Sequence, residues 1–258
     1  MTRRSALAAA AALTAVALAG CNPATDAPTD ASSSVGGAIT VFAAASLKEA
    51  FTTIGAQFEA ANPGATITFS FGPSSSLATQ ITQKAPADVF ASASQKTMDT
   101  VVDAGLASGS SVFAVNTMAI ATPTDPTTPV ASLADLANPD VKVAVCAADV
   151  PCGIAADTLF AQNDLTVTPV TREVDVKSVL SKVQLGEVDA GIVYVTDIKA
   201  AGGAVVGVGI PADQNVTTSY PIAAVSGSPN AVTAQAFAAY VLGPEAQKVL
   251  ADAGFGAP

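Results

Sequence analysis

The stretch ITVFAAASL, residues 39–47, decides how the rest of the chain is read. Ile39, Val41 and the apolar run through Phe42 predict a short buried strand. Three alanines then lead into Ser46, and Leu47-Lys48-Glu49-Ala50-Phe51 opens a helical pattern. Ser46 is therefore expected at a strand-to-helix turn, in the position of an N-cap. Such a turn gathers free backbone N–H groups, a hydroxyl and the positive end of a helix dipole at one spot, an arrangement that suits an anion. A serine there can also do no more than cap its own helix. Repetition of the device is what gives it meaning.

Working outward, apolar positions 47, 51, 54 and 58 predict a helix to about residue 61, closed by Asn62-Pro63-Gly64. TITFSF at 66–71 alternates as a strand, Gly72 to Ser76 reads as a turn containing Ser74, and a helix is expected over 77–84. A strand at 87–93 and a helix at 96–104 follow. Alternation in units this short points to a parallel α/β sheet, in which ligands sit at the carboxyl ends of strands. The run 112–121 is expected to cross into a second lobe. There, strands at 141–145, 170–174, 190–195 and 205–210 alternate with helices at 132–136, 153–160 and 177–185. Cys152-Gly153 repeats the strand–turn–helix junction, Asp175-Val176 opens the helix at 177–185, and Tyr194 stands near the end of a buried strand. YPIAAV at 220–225 leads back to the first lobe, followed by helices at 231–242 and 244–253.

The N-terminus reads as a processing segment. Residues 1–20 carry Arg3 and Arg4 ahead of an apolar run too short to span a membrane comfortably, as in a signal peptide. Leu18-Ala19-Gly20-Cys21 resembles a bacterial lipobox, which implies cleavage before Cys21 and its lipidation. Residues 21–37 would be the lipidated cysteine and a flexible tether rich in Pro, Thr, Ser, Asp and Gly. The expected location is outside the cell membrane, anchored to its outer face.

Loss of two arginines with the leader takes the net charge from −10 to about −12. That balance argues against a nucleic-acid partner, and any bound anion must be held by local dipoles against the average field. The chain has no histidine, which excludes Ser-His-Asp and Cys-His catalysis and most zinc sites. Cys146 and Cys152 in an exported domain read as a disulfide that stiffens the turn at Val150-Pro151. A metal site, with only two thiols, and a redox pair, without C-x-x-C spacing, are the alternatives.

With these residues in place, the chain resembles the substrate-binding proteins of molybdate importers, the ModA family of type II periplasmic binding proteins. The resemblance spans 39–255 and rests on ITVFAAASL (39–47), SSSLATQI (74–81), APADVFASASQKTMD (85–99), VPCGIAADTL (150–159), GIVYVTD (191–197) and YPIAAV (220–225). It implies an α/β fold of two lobes, each a mostly parallel sheet flanked by helices, with the ligand cleft between them. Lobe one would be 38–117 plus 218–258, and lobe two 118–217. Carried over residue by residue, the ligand positions fall on Ser46, Ser74, Cys152, Val176 and Tyr194. Ser46 and Ser74 would offer hydroxyls and N–H groups, Cys152 and Val176 backbone N–H only, and Tyr194 its phenolic O–H. Two departures stand out: Cys152 occupies a position where a small alanine-like residue is expected, and Pro73 removes one donor N–H beside Ser74.

The resemblance implies a monomeric carrier of molybdate or tungstate with no cofactor, delivering its oxyanion to a membrane ABC permease. A receptor for sulfate or another small tetrahedral oxyanion has the same fold. An exported serine hydrolase using Ser46 or Ser74 would need Lys48 or Lys84 as its base. A purely structural lipoprotein would leave the repeated turn serines without a role.

Overall fold

The computed structural model describes residues 35–258. The expected signal peptide, Cys21 and most of the tether lie outside the described residues.

The first strand, β1 (Gly37–Ala44), is inaccessible along its second half, which is why it reads as an unbroken apolar run. It pairs in parallel with β2 (Ala65–Gly72) over its whole length and with β3 (Val89–Ala91) on the other side. Helix α1 (Lys48–Ala61) returns from β1 to β2, α2 (Ser74–Thr82) from β2 to β3, and α3 (Gln95–Asp103) leads out of β3. The long strand β4 (Ser111–Thr122) follows.

Beyond β4 the elements are β5 (Val143–Cys146), α4 (Pro151–Gln162), β6 (Thr171–Glu173), α5 (Val176–Gln184), β7 (Ala190–Tyr194), α6 (Val195–Ala201) and β8 (Val206–Gly209). The chain returns through β9 (Thr217–Ala224) and ends in α7 (Ala231–Val241) and α8 (Pro244–Ala253). Among the described residues the nine strands form one mixed sheet in the order β2-β1-β3-β9-β4-β7-β5-β6, with β8 also on β4. β5 lies parallel to β6 and β7, while β9 runs antiparallel to both β3 and β4.

β4 changes partners midway. Residues 111–117 pair with β9, and from Met118 onward the strand pairs with β7 and β8. The apolar core divides at the same place. One cluster draws on residues 118–210, built on β4, β5 and β7 with α4 and α5. Two others draw on residues 39–114 and 220–255. In the larger of these, Phe51 of α1 meets Phe69, Phe113 and Phe237 at ring separations of 6.2, 5.6 and 6.2 Å. No helix among the described residues is long and apolar enough to cross a membrane.

Three local expectations are corrected. Ser46 is not the N-cap of α1: it sits inside a 3-10 turn, Ala45–Leu47, and α1 starts at Lys48 with Leu47 as its cap. Its hydroxyl is engaged by a distant residue instead of by its own helix. Helix α2 begins at Ser74, three residues before the expected start, because Pro73 at the N-cap sets the boundary that apolar spacing places at Leu77. The seven residues after Tyr194 form α6, for which no helix was expected; the Asp197 carboxylate accepts the Tyr194 backbone N–H at 3.0 Å, and Gly202 ends the helix in the left-handed region at φ 57°.

Candidate functional site

Five strand ends and the helix starts that follow them converge on one cavity. It is lined by Ser46 after β1, Ser74 after β2, Cys152 after β5, Val176 after β6, and Tyr194 at the end of β7. All five sequence-expected residues are thus brought together, and the remaining wall includes Pro73, Ala93, Val150 and Asp175. The space open to the centre of a water-sized sphere is about 20 Å³, equivalent to a ball of roughly 1.7 Å radius. Oxygen atoms can therefore stand about one bond length from a common centre, which is the room needed by one compact oxyanion.

Each junction leaves donors for such an ion. The first N–H groups of a helix have no carbonyl one turn back to bond. In α4 the N–H of Gly153 is used by Val150 O (3.0 Å), and Pro151 has none, so Cys152 carries the free one. In α5 the Asp175 carboxylate caps Ser178 N at 2.9 Å, leaving the Val176 N–H at the cavity wall. Asp175 is the single charged residue of the lining, and that lining contains no lysine or arginine.

The hydroxyls are set from behind. Ser74 Oγ accepts from Ala93 N at 3.1 Å, so its own proton stays available to an acceptor. Ser92 holds that loop by bonding Ser94 in both directions, at 2.8 and 3.1 Å. Ser46 Oγ lies 2.9 Å from Tyr220 Oη, and when Tyr220 donates, the serine proton is likewise free. Burial raises the pKa of the Tyr220 phenol, with the Asp197 charge adding to it, so it remains a neutral donor. Tyr194 is 1% exposed, and its Oη has no hydrogen-bond partner among the described residues. Burial pushes its pKa well up, with Tyr220 and Asp197 contributing. An orphaned buried hydroxyl carries a desolvation cost of about 1–3 kcal/mol, and here it borders a cavity sized for an acceptor.

Cys146 and Cys152 form a disulfide, S–S 2.07 Å and Cα–Cα 5.7 Å, that closes the loop beneath the start of α4. Gly153 is required there, since a Cβ would stand 1.8 Å from Ala147 O.

Sequence reading missed the residues that support the site from outside the cavity. Tyr220 belongs to the quoted YPIAAV stretch, but nothing local to that stretch marks it as the partner of Ser46. Asp197 is fully buried, takes the Tyr194 N–H at 3.0 Å and pairs with Lys177 Nζ at 3.0 Å. Burial raises its pKa to about 6 against the pull of Lys177. Burial works against the Lys177 ammonium too, but the carboxylates of Asp197 and Glu49 outweigh it and raise its pKa.

Relatives match along most of this length. The molybdate-binding protein ModA of Mycobacterium tuberculosis (strain H37Rv) is 42% identical over 85% of this chain and 85% of its own. Its counterpart from Escherichia coli is 36% identical over 85% of this chain and 89% of its own. Among solved structures, the substrate-binding domain of a putative molybdenum ABC transporter from Clostridium difficile superposes with a TM-score of 0.65 at 29% identity, covering 86% of this chain and 99% of that one. These are binding proteins, and this chain is a solute-binding protein in place of an enzyme. Residues 39–256 match the family of bacterial extracellular solute-binding proteins, to which the chain belongs.

Proposed function

We propose that this protein captures molybdate outside the cell membrane, accepts tungstate as well, and delivers the ion to a membrane ABC permease. Lipidated Cys21 would anchor it, and as a monomer it would close two lobes, 38–117 with 218–258 and 118–217, over the ion. Ser46, Ser74 and Tyr194 donate O–H, and Cys152 and Val176 donate N–H. No cofactor takes part.

The observation that carries this reading is the Tyr194 hydroxyl, buried without a partner on a cavity that has donors and no basic side chain. Neutral donors satisfy a fully deprotonated dianion on every side. Hydrogen phosphate would turn its own proton against one of them, at a cost on the order of 1–3 kcal/mol. Sulfate has the right charge but shorter bonds to its oxygens, which reach less far toward the walls. The names of the relatives above supply the cargo.

The test is calorimetric titration of the purified protein with molybdate, tungstate, sulfate and phosphate, a suitable method because the chain has no tryptophan to report binding. Molybdate and tungstate should bind at one site per chain. Binding of sulfate alone would replace the cargo, and binding of none would end the proposal. Tyr194→Phe should then weaken molybdate binding about 10- to 100-fold, the worth of one hydrogen bond to a charged group. The same change should leave the ligand-free melting temperature unchanged or higher, because the hydroxyl it removes has no hydrogen-bond partner among the described residues.

A further inference from the structure

Three charged side chains stand behind the cavity, and each is attached to a different ligand-bearing segment. Glu49 lies one helical turn after Ser46, Lys177 directly follows Val176, and Asp197 accepts the Tyr194 N–H. Lys177 Nζ joins them, 2.8 Å from Glu49 Oε2 and 3.0 Å from Asp197 Oδ1.

The two arms of this cluster differ in kind. Lys177 and Asp197 sit on α5 and α6, whose neighbours Val176, Val179 and Tyr194 belong to the core cluster of residues 118–210. The Asp197 side chain is completely inaccessible, and its second oxygen is committed to the Tyr194 backbone. Glu49 sits on α1, whose residues Ala50, Phe51 and Ile54 belong to the separate cluster built on β1. The Glu49 side chain is half exposed and that of Lys177 about a quarter exposed. The inner pair therefore lies within one body of packed residues, and the outer pair bridges two. A half-exposed ion pair is weak enough to part and re-form without disturbing either core.

We propose that Glu49, Lys177 and Asp197 form a charged clasp in which the inner pair fixes Val176 and Tyr194 and the Glu49 arm holds the Ser46 segment against them while the oxyanion is bound. Glu49 is then a positioning residue: it lies outside the lining of the cavity and acts on how long the site stays closed. The inference rests on the reading of the cavity as an oxyanion site. The clasp adds a constraint on release that the cavity wall alone does not supply. Because the outer arm forms only when the two bodies meet, its loss falls on the dissociation rate and spares the encounter.

The experiment is stopped-flow kinetics of molybdate binding and release by the full protein, followed by the fluorescence of its tyrosines, of which Tyr194 lines the cavity, at low and high ionic strength, for wild type, Glu49→Gln and Glu49→Lys. Glu49→Gln should speed dissociation about three- to five-fold at low salt with association little changed. Wild-type dissociation should quicken as salt rises, and the Gln variant should lose most of that dependence. Glu49→Lys, which sets like charges face to face, should release molybdate faster still. Neither variant should lower the ligand-free melting temperature by more than a degree or two, which separates a clasp from a general structural role. Wild-type protein that binds no oxyanion would sink the cargo reading itself. Wild-type protein that binds, with dissociation and salt dependence unaltered in both variants, would overturn the clasp and leave the cargo reading standing.

Discussion

Gly153→Ala is expected to lower stability by about 3 kcal/mol or more and to abolish tight oxyanion capture with it. The added methyl would meet Ala147 O at 1.8 Å, the Ala147 carbonyl carbon at 2.6 Å and Cys146 O at 2.9 Å. All three are backbone atoms of the loop closed by the Cys146–Cys152 disulfide, so no side chain can swing aside. The first turn of α4 would have to lift away, carrying the Cys152 N–H off the cavity. Ordinary overpacking costs about 1–3 kcal/mol because side chains share the strain, and here none can. Gly186→Ala serves as the comparison. It sits at φ 67° with nothing within 4 Å of a new Cβ, and should cost only the left-handed backbone penalty of about 1–2 kcal/mol. Urea unfolding of both variants, with molybdate titration of each, measures the difference. A Gly153→Ala protein as stable as the Gly186→Ala one would mean that α4 is not held down as described.

Phe51→Ala is expected to cost about 3–5 kcal/mol. Phe51 is wholly inaccessible and stands at the centre of an aromatic group with Phe69, Phe113 and Phe237, the last also meeting Phe58 at 5.3 Å. Its truncation leaves a hole bounded by three rings from three separate elements, none of which can close it without leaving its own neighbours. Gly55, one turn along α1, is already in contact range of Phe69, so α1 cannot move closer to β2 to fill the space: a Cβ there would lie 2.6 Å from the ring. Urea unfolding should show the midpoint fall with the slope unchanged. A loss under about 1.5 kcal/mol would indicate that the cavity collapses.

What the sequence displays of the site follows from how the site is made. A donor N–H at the start of a helix needs only a strand end and a helix start, and both leave local patterns. That is why Ser46, Ser74 and Cys152 stand out along the chain as strand–turn–helix junctions, while Val176 and Tyr194 are marked as ligands only by the resemblance to the ModA family; all five stand around one cavity in the structure. The supporting residues leave no such pattern. Ser46 reaches Tyr220 across 174 residues, and Glu49 reaches Lys177 across 128. The N-cap expected at Ser46 fails for the same reason, because a serine bound to a distant phenol and a serine capping its own helix look alike in sequence. Helix α6 escaped because seven residues are too few to show a period; its signs, Asp197 at the third position and the Gly202-Gly203 pair, are about its ends. Core membership of Phe51 was visible from its spacing with Leu47, Ile54 and Phe58, but its three ring partners were not.

The change of partners along β4 has a consequence for how the chain could be assembled. Thr117 of β4 lies opposite Thr217 of β9, so the chain departs for residues 118–216 and comes back at neighbouring points. A segment whose two ends meet can be removed, replaced or transplanted without shifting the termini of its host. Exchange of these hundred or so residues for those of a relative would change Cys152, Val176 and Tyr194 together while leaving Ser46 and Ser74 in place. Half of the cavity wall is in this sense a detachable cassette, and its selectivity can be altered one half at a time.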